Sequence, residues 1–309
     1  MRLYYRPKGQ ETEYDITGDA MVEEARALDG CGGRRDGLEI CVSGAGAWKK
    51  WHPEADDTVR ATLNGYDTGR MYVSACYPEG DRYTIYASGC PRMSRAKRNR
   101  SWHGETLGKI FDETAAYCGM GWALYGMEEE MVYPYMAQRE GAEAFLDRLM
   151  RMEGGRVKTW DGKMLGIGTE WAMGRDPAAS IQMEADTPGV YYMRREDVRL
   201  GQVTVRTPWG EGSAADTLRG GLGEEVICLP ARSAAEARRW ARGILLERNM
   251  GAETLEMTTD FKKEYTAMAR VDVTGDREAA GQWLIEEAEH DLVRETSRVR
   301  MHRCVWTVY

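Results

Sequence analysis

Several residue classes are scarce in this chain. Phenylalanine occurs 3 times and histidine 4 times in 309 residues. The seven cysteines, Cys31, Cys41, Cys76, Cys90, Cys118, Cys228 and Cys304, are odd in number and scattered, and no CxxC occurs. That argues against a disulfide framework or a zinc ribbon. The cysteines read as reduced thiols in a protein made in a cytosol. No window approaches the ~20 apolar residues of a membrane helix. No signal peptide is expected either, because Arg2, Arg6 and Lys8 break the first apolar cluster. Positive charge is not in surplus: 42 Lys+Arg stand against 50 Asp+Glu, a net charge of -8. A dedicated duplex-DNA binder usually carries a basic face, which this balance disfavours.

What is present describes a folded, mid-sized protein. Hydrophobic residues make up 42% and charged residues 30%, outside the disordered range. A chain of this length buries about three quarters of its unfolded surface, enough for two or three cores. Tyr (16), Trp (10) and Met (18) carry the bulky apolar load. Tyr and Trp suit half-buried sheets and subunit interfaces, having an apolar body and a polar tip.

Three stretches follow from periodicity. Residues 1–93 alternate as antiparallel strands: Leu38/Ile40/Val42, Val59/Ala61/Leu63, Met71/Val73/Ala75/Tyr77 and Tyr83/Ile85/Ala87. Asn64-Gly65 and Pro78-Glu79-Gly80-Asp81 read as turns, and Ala20–Leu28 as a short helical piece. Residues 94–168 change period. Leu107, Ile110, Phe111, Thr114, Ala115 and Cys118 mark one helix, stopped at Gly119. A second runs from Glu140 to Glu153, ended by Gly154-Gly155, with strand from Trp122 to Tyr135 between them. Val157–Thr159 and Met164–Ile167 flank the turn Asp161-Gly162, so this stretch is a small α+β module. Residues 169–309 return to β around one helix opened by a Ser233/Glu236 capping box, with Ala237, Trp240, Ala241, Ile244 and Leu245 as its buried stripe. Strands are expected at Leu255–Phe261, Tyr265–Val273, Trp283–Glu289 and Val299–Val305.

Catalytic patterns are weak. His290 stands in Glu286-Glu287-Ala288-Glu289-His290, which is not HExxH, and reads as a strand-edge or interface histidine. Glu128-Glu129-Glu130 has the residue type of a glycosidase carboxylate pair, but a charge run in a turn is more often solvated surface. Gly44-Ala45-Gly46 and Gly220-Gly221-Leu222-Gly223 lack the strand–turn–helix context of a nucleotide loop. No catalytic, cofactor or metal residue is assigned, and the chain is expected not to be an enzyme. The most basic run holds Arg92, Arg95, Lys97, Arg98, Arg100 and Trp102. We read these six as a candidate contact with a partner protein, and not as a specific nucleic-acid site, because the chain as a whole is acidic.

The same segment carries a resemblance. Arg100-Ser101-Trp102-His103-Gly104-Glu105-Thr106-Leu107 resembles the basic strand and Ser-Trp-x-Gly-x-Thr-Leu helix start of the late control protein D family, the central baseplate hubs of contractile phage tails. Tyr135 to Glu140 followed by Phe145-Leu146-Asp147-Arg148-Leu149 is similar to that family's aromatic, Gln and Phe-Leu-x-Arg-Leu helix. Gly154-Gly155, Asp161-Gly162-Lys163-Met164, Asp15-Ile16-Thr17, Asp36-Gly37-Leu38-Glu39-Ile40, Trp51, Asp57-Thr58-Val59 and Thr68-Gly69-Arg70-Met71 follow the family's order. The resemblance spans nearly the whole chain and is tightest before residue 175. Two departures are a short N-terminus and Gly37 where the family often has a small polar residue. No needle, OB-fold, β-helix or lysozyme segment is seen, so a complete VgrG-like hub–spike fusion is not expected.

The resemblance implies a mainly β, α+β fold: two tail-tube-like antiparallel β-barrel domains, residues 1–93 and 169–309, with the α+β module, residues 94–168, inserted between or beside them. It also implies a homotrimer that adapts a hexameric tube to a trimeric spike in a phage tail or phage-tail-like bacteriocin. The implied partners are other copies of itself, the tail spike, tail tube and tape measure proteins, and baseplate wedge or LysM-type tail proteins. Neither membrane nor cofactor is expected. The location is the baseplate of the particle, assembled in the bacterial cytoplasm, with DNA at most passing through the lumen. One face of a strand, Thr254, Glu256, Thr258 and Asp260, reads equally as a candidate lumen lining, where carboxylates would repel passing phosphates, and as an ordinary solvated sheet face. The alternative functions are a tail-associated peptidoglycan hydrolase or a cell-wall-binding adaptor.

Overall fold

The computed structural model describes residues 1–304 except 20, 35, 45, 47–50, 185, 186, 218–220 and 222. The fold is α+β and mainly β. The first stretch forms β1 (Arg2–Arg6), β2 (Tyr14–Asp15), β3 (Met21–Gly30), β4 (Gly37–Ser43), β5 (Thr58–Leu63), β6 (Tyr66–Asp67), β7 (Met71–Glu79) and β8 (Arg82–Ser88). The alternating residues of β4, β5 and β8 fill one core, which also takes Leu3, Tyr5, Ala25 and Ala27. Asn64 and Gly65, at φ 49° and 83°, make the tight turn between β5 and β6; two left-handed residues suit the twist of a two-residue hairpin.

Two readings of this stretch need correction. Residues 21–28 are not helical but belong to β3; Ala20 lies outside the described residues. Glu23, Glu24, Ala25, Arg26 and Ala27 favour helix locally, yet β3 pairs β4 on one side and a strand of the last stretch on the other. Two ladders and the burial of both alanines outweigh propensity differences of under ~1 kcal/mol per residue. On β7, a bulge between Val73 and Ala75 shifts the alternation. Met71 and Val73 stay inside, whereas Tyr77 is 61% exposed and meets Tyr86 edge-on.

The middle stretch contains a 3-10 turn (Arg92–Arg95), β9 (Arg100–Trp102), β10 (Glu105–Thr106), α1 (Leu107–Tyr117), β11 (Gly121–Tyr125), β12 (Val132–Tyr133), β13 (Met136–Gln138), α2 (Ala142–Met152), β14 (Gly155–Trp160) and β15 (Lys163–Gly168). Thr106 caps α1 by accepting from the Lys109 N–H at 3.2 Å. Gly119 and Gly154, at φ 68° and 74°, follow the two helices in the left-handed conformation that ends them. The run from Trp122 to Tyr135 is two short strands, β11 and β12, rather than one, interrupted by the turn around Glu128–Glu130.

The last stretch contains α3 (Thr169–Met173), β16 (Ala179–Gln182), β17 (Val190–Arg194), β18 (Leu200–Thr207), β19 (Gly210–Ala215), β20 (Gly223–Cys228), α4 (Ala234–Met250), β21 (Glu253–Asp260), β22 (Arg270–Thr274), β23 (Gly281–Asp291) and β24 (Thr296–Arg303). Ser233 caps α4 by accepting from Glu236 N–H at 3.1 Å, but the Glu236 carboxylate accepts from Arg232 N–H rather than from Ser233. The capping box is therefore displaced by one residue. The strand expected over residues 265–273 begins only at Arg270; before it, the chain loops, with Met268 at φ 69°.

The stretches are tied together in two ways. Among the described residues, β1–β8 of the first stretch and β16, β17 and β21–β24 of the last form one 14-stranded sheet, whose main path runs β17-β21-β24-β23-β3-β4-β8-β7-β5-β1-β2, while β18, β19 and β20 form a separate three-stranded sheet. β23 and β3 join its halves antiparallel, with His290 opposite Ala27 and Ala288 opposite Asp29. Each half keeps its own apolar core. A third core mixes the module with the last stretch: Trp102, Phe111 and Phe145 pack with Val203, Val205 and Trp240.

The connection between β3 and β4 clips the module to the seam. Gly32 N–H donates to Val157 O at 3.0 Å, and Arg151 donates to Gly32 O. Arg34 pairs with Glu287 at 2.7 Å and Glu286 at 3.4 Å. Asp36 accepts from Thr159 N–H (3.1 Å) and hydroxyl (2.6 Å), while Lys158 of β14 pairs with Asp29 and lies 3.8 Å from Asp36. Burial pushes the Asp36 carboxyl up to about 6, against the pull of the Lys158 ammonium.

Candidate interaction surface

The basic run divides between surface and core. Arg92, Arg95 and Lys97 are exposed on and after the 3-10 turn, where Pro91 and the short turn leave no room for an apolar face. Arg98 and Arg100 are half-buried. The Arg98 guanidinium lies 4.3 Å over the Tyr117 ring, and Arg100 lies 3.8 Å over Trp102 while pairing with Glu113. Trp102 is not on the surface. Its ring is 1% exposed and stacks parallel to Phe145 at 6.3 Å, because strand alternation in β9 turns it toward α2. It is corrected from a contact residue to a core residue.

The Thr254, Glu256, Thr258 and Asp260 face is opposite Leu255 and Met257, which fill the core as alternation requires. Thr254 is itself buried at the inner end, while Thr258 and Asp260 are exposed. On the neighbouring β24, Arg300 stands opposite Glu256 and Arg298 opposite Thr258. Arg298 pairs with Glu256. Further along the same face, Glu287 and Glu289 stand opposite Arg300 and Arg298. The face therefore mixes signs rather than presenting carboxylates alone.

The remaining candidates have structural surroundings. His290 is fully buried in the seam, not at a strand edge. Its Nε2–H donates to the Tyr265 carbonyl at 2.9 Å and Nδ1 accepts from the Ser297 hydroxyl at 2.8 Å. Burial lowers its pKa, the nearby Asp29 charge opposing. Glu128, Glu129 and Glu130 are exposed on their turn, and the Glu129 carbonyl accepts from the Gly108 N–H at the start of α1. Among the described residues, no group of three or more His, Cys, Asp and Glu side chains is placed to hold a metal ion. No described helix is long and apolar enough to cross a membrane. Of the two Gly-rich loops, Ala45, Gly220 and Leu222 lie outside the described residues.

Reasoning from sequence missed a cleft beside the basic run. It has a volume of about 700 Å³ and is lined by Arg6, Lys8, Arg70 and Arg92, with Tyr72 and Tyr117 at its walls. These residues are separated by up to 111 positions, from Arg6 to Tyr117, so no local pattern signals them.

No protein-family model and no curated protein matches this sequence. Solved structures match it by fold. A tail protein from Neisseria meningitidis MC58 superposes with a TM-score of 0.73 at 11% identity, covering 98% of this chain and 96% of that one. The prophage MuSo2 43 kDa tail protein from Shewanella oneidensis gives 0.72 at 13% identity, covering 98% of both chains. Prophage tail protein gp18 from Listeria monocytogenes EGD-e gives 0.66 at 10% identity, covering 98% and 95%. The resemblance seen in the residues is thus borne out at the level of fold: over nearly its whole length, this chain adopts the mainly β, α+β fold of solved tail proteins.

Proposed function

We propose that this chain is a structural hub of a contractile phage tail or phage-tail-like bacteriocin baseplate, in which three copies join a hexameric tube to a trimeric spike. The observation that carries this reading is the seam. One chain supplies two β halves, each with its own core, joined edge to edge by the β3–β23 ladder. Three such chains would give six halves around an axis, with three seams inside chains and three between them. Heterologous contacts of this kind close into a ring when the rotation fits.

In this arrangement residues 1–93 and 169–309 are the two tube-like domains and residues 94–168 the module beside them. The Thr254–Asp260 face lines the channel, its mixture of carboxylates and guanidiniums giving passing phosphates no continuous cationic track. The exposed cations of the basic run contact another tail protein. The spike, tube, tape measure and baseplate wedge or LysM-type proteins are the neighbours, and the role is geometric rather than catalytic.

Native mass spectrometry of the chain, alone and co-expressed with its neighbouring tail proteins, tests the reading. A trimer, free or on the spike, is expected. A stable monomer at high concentration that associates with none of those proteins would overturn it. So would clearing of cell walls on a zymogram that disappears when one carboxylate is changed.

A further inference from the structure

The cleft beside the 3-10 turn is cationic in a chain that is acidic overall. Arg6 reaches it from β1, Lys8 from the loop that follows, Arg70 from the approach to β7 and Arg92 from the 3-10 turn. One carboxylate, Asp56, faces them, and it is already engaged. It accepts from the Arg92 backbone N–H at 2.7 Å and from the Lys8 ammonium at 3.2 Å. The guanidiniums have weaker neighbours: Arg6 Nε donates to the Thr58 hydroxyl at 3.4 Å, and Arg70 donates to the Tyr72 hydroxyl. Among the described residues, none of the three guanidiniums is ion-paired to a carboxylate. Three unneutralised forks around one concavity focus a positive field that the rest of the chain, at net -8, does not supply.

We infer that this cleft binds an acidic segment of a partner protein, its Asp and Glu carboxylates pairing with Arg6, Arg70 and Arg92. Guanidinium forks match carboxylates in bidentate geometry. Pro7 and Met93 offer apolar surface to the aliphatic stems of such side chains. A nucleic acid fits less well, because a long polyanion leaving the cleft runs onto an acidic chain, whereas a short acidic segment needs only the local field. The inference deepens the proposed tail-protein contact by naming the partner's chemistry, and it stands on the charge of the cleft itself. A monomeric chain that still binds the acidic probe would sink the hub reading alone.

Fluorescence anisotropy with a short fluorescein-labelled Asp/Glu peptide tests it. The peptide is expected to bind and to weaken as salt rises, while its Asn/Gln counterpart does not bind. Arg92→Gln, at an exposed position outside every strand, is expected to weaken binding about tenfold, and Arg6→Gln with Arg92→Gln about a hundredfold. Arg277→Gln, an exposed arginine remote from the cleft in sequence and outside its lining, is expected to change binding less than about twofold. The inference is overturned if the acidic peptide does not bind, if Arg277→Gln weakens binding as much as Arg92→Gln, or if single-stranded oligothymidylate displaces the peptide at lower concentration than unlabelled peptide does.

Discussion

Glu153 gathers donors from two distant parts of the chain, β12 and α4. Its side chain is 1% exposed at the end of α2 and accepts from the Tyr133 hydroxyl (2.9 Å), Arg239 Nε (2.7 Å) and Trp240 Nε1 (2.8 Å). Removing a buried acceptor leaves its donors without partners and one guanidinium without its counter-charge. Glu153→Ala is therefore expected to cost ~3–5 kcal/mol, read as a lower urea midpoint at unchanged slope. Tyr133→Phe, which removes one donor, is expected to cost only ~1 kcal/mol. In the sequence Glu153 is merely the last polar residue before Gly154-Gly155. Its partners on α4 lie 86 and 87 positions away, so nothing local marks it. Trp102 was misplaced for the same reason: its basic neighbours suggested surface, and only the packing of β9 on α2 shows which way it points.

Helix α4 crosses the end of α2 at a point where both backbones are bare. A Cβ built on Gly243 would lie 2.1 Å from Met152 O and 2.4 Å from Gly154 N, so only glycine permits this approach. Intrinsic propensity alone predicts that Gly243→Ala stabilises a helix by ~1 kcal/mol. Here the expected sign is reversed: a loss of ~1–3 kcal/mol from forced separation of the helices, measured as a lower Tm. The helices themselves were legible, because α1, α2 and α4 each carry an apolar stripe and a stop. So were the strands with clean alternation, β4, β5 and β8. The one strand built from helix-favouring residues, β3, was not, since its two ladders are made with distant partners.

At the scale of the whole molecule, Glu286 lies one residue before the β3–β23 ladder that joins the halves. It accepts from His302 Nε2 at 3.0 Å and pairs with Arg34 and Arg300 at 3.4 and 3.5 Å. Burial alone would raise its pKa, but the His302 hydrogen bond and the two guanidiniums outweigh it and hold the carboxyl at about 2. A folded-state pKa below the unfolded value of 4.5 stabilises the fold above pH 4.5 and ceases to do so as pH falls toward 2. At about 1.4 kcal/mol per pKa unit the contribution is ~3 kcal/mol. Glu286→Gln is therefore expected to be less stable than the parent at pH 7, with the gap closing between about pH 4.5 and 2 in thermal melts. The mainly β, α+β character of the fold was legible from changes of period. The edge-to-edge joining was not, because His290 and Ala27 become neighbours only through the sheet. Likewise the charges at Arg92, Arg95 and Lys97 were visible in the sequence, while the cleft needed Arg6, Lys8 and Arg70 brought to them.

The connection between β3 and β4 has a consequence for cutting the chain. Asp29 and Asp36 belong to the first stretch, while Lys158 and Thr159, which complement them, belong to the second. A break near residue 93 would leave two interior carboxylates on one fragment and an interior ammonium on the other. Each piece would carry the missing counter-ion of its sibling, so the fragments suit complementation: produced apart, they regain their buried ion pair only by finding one another.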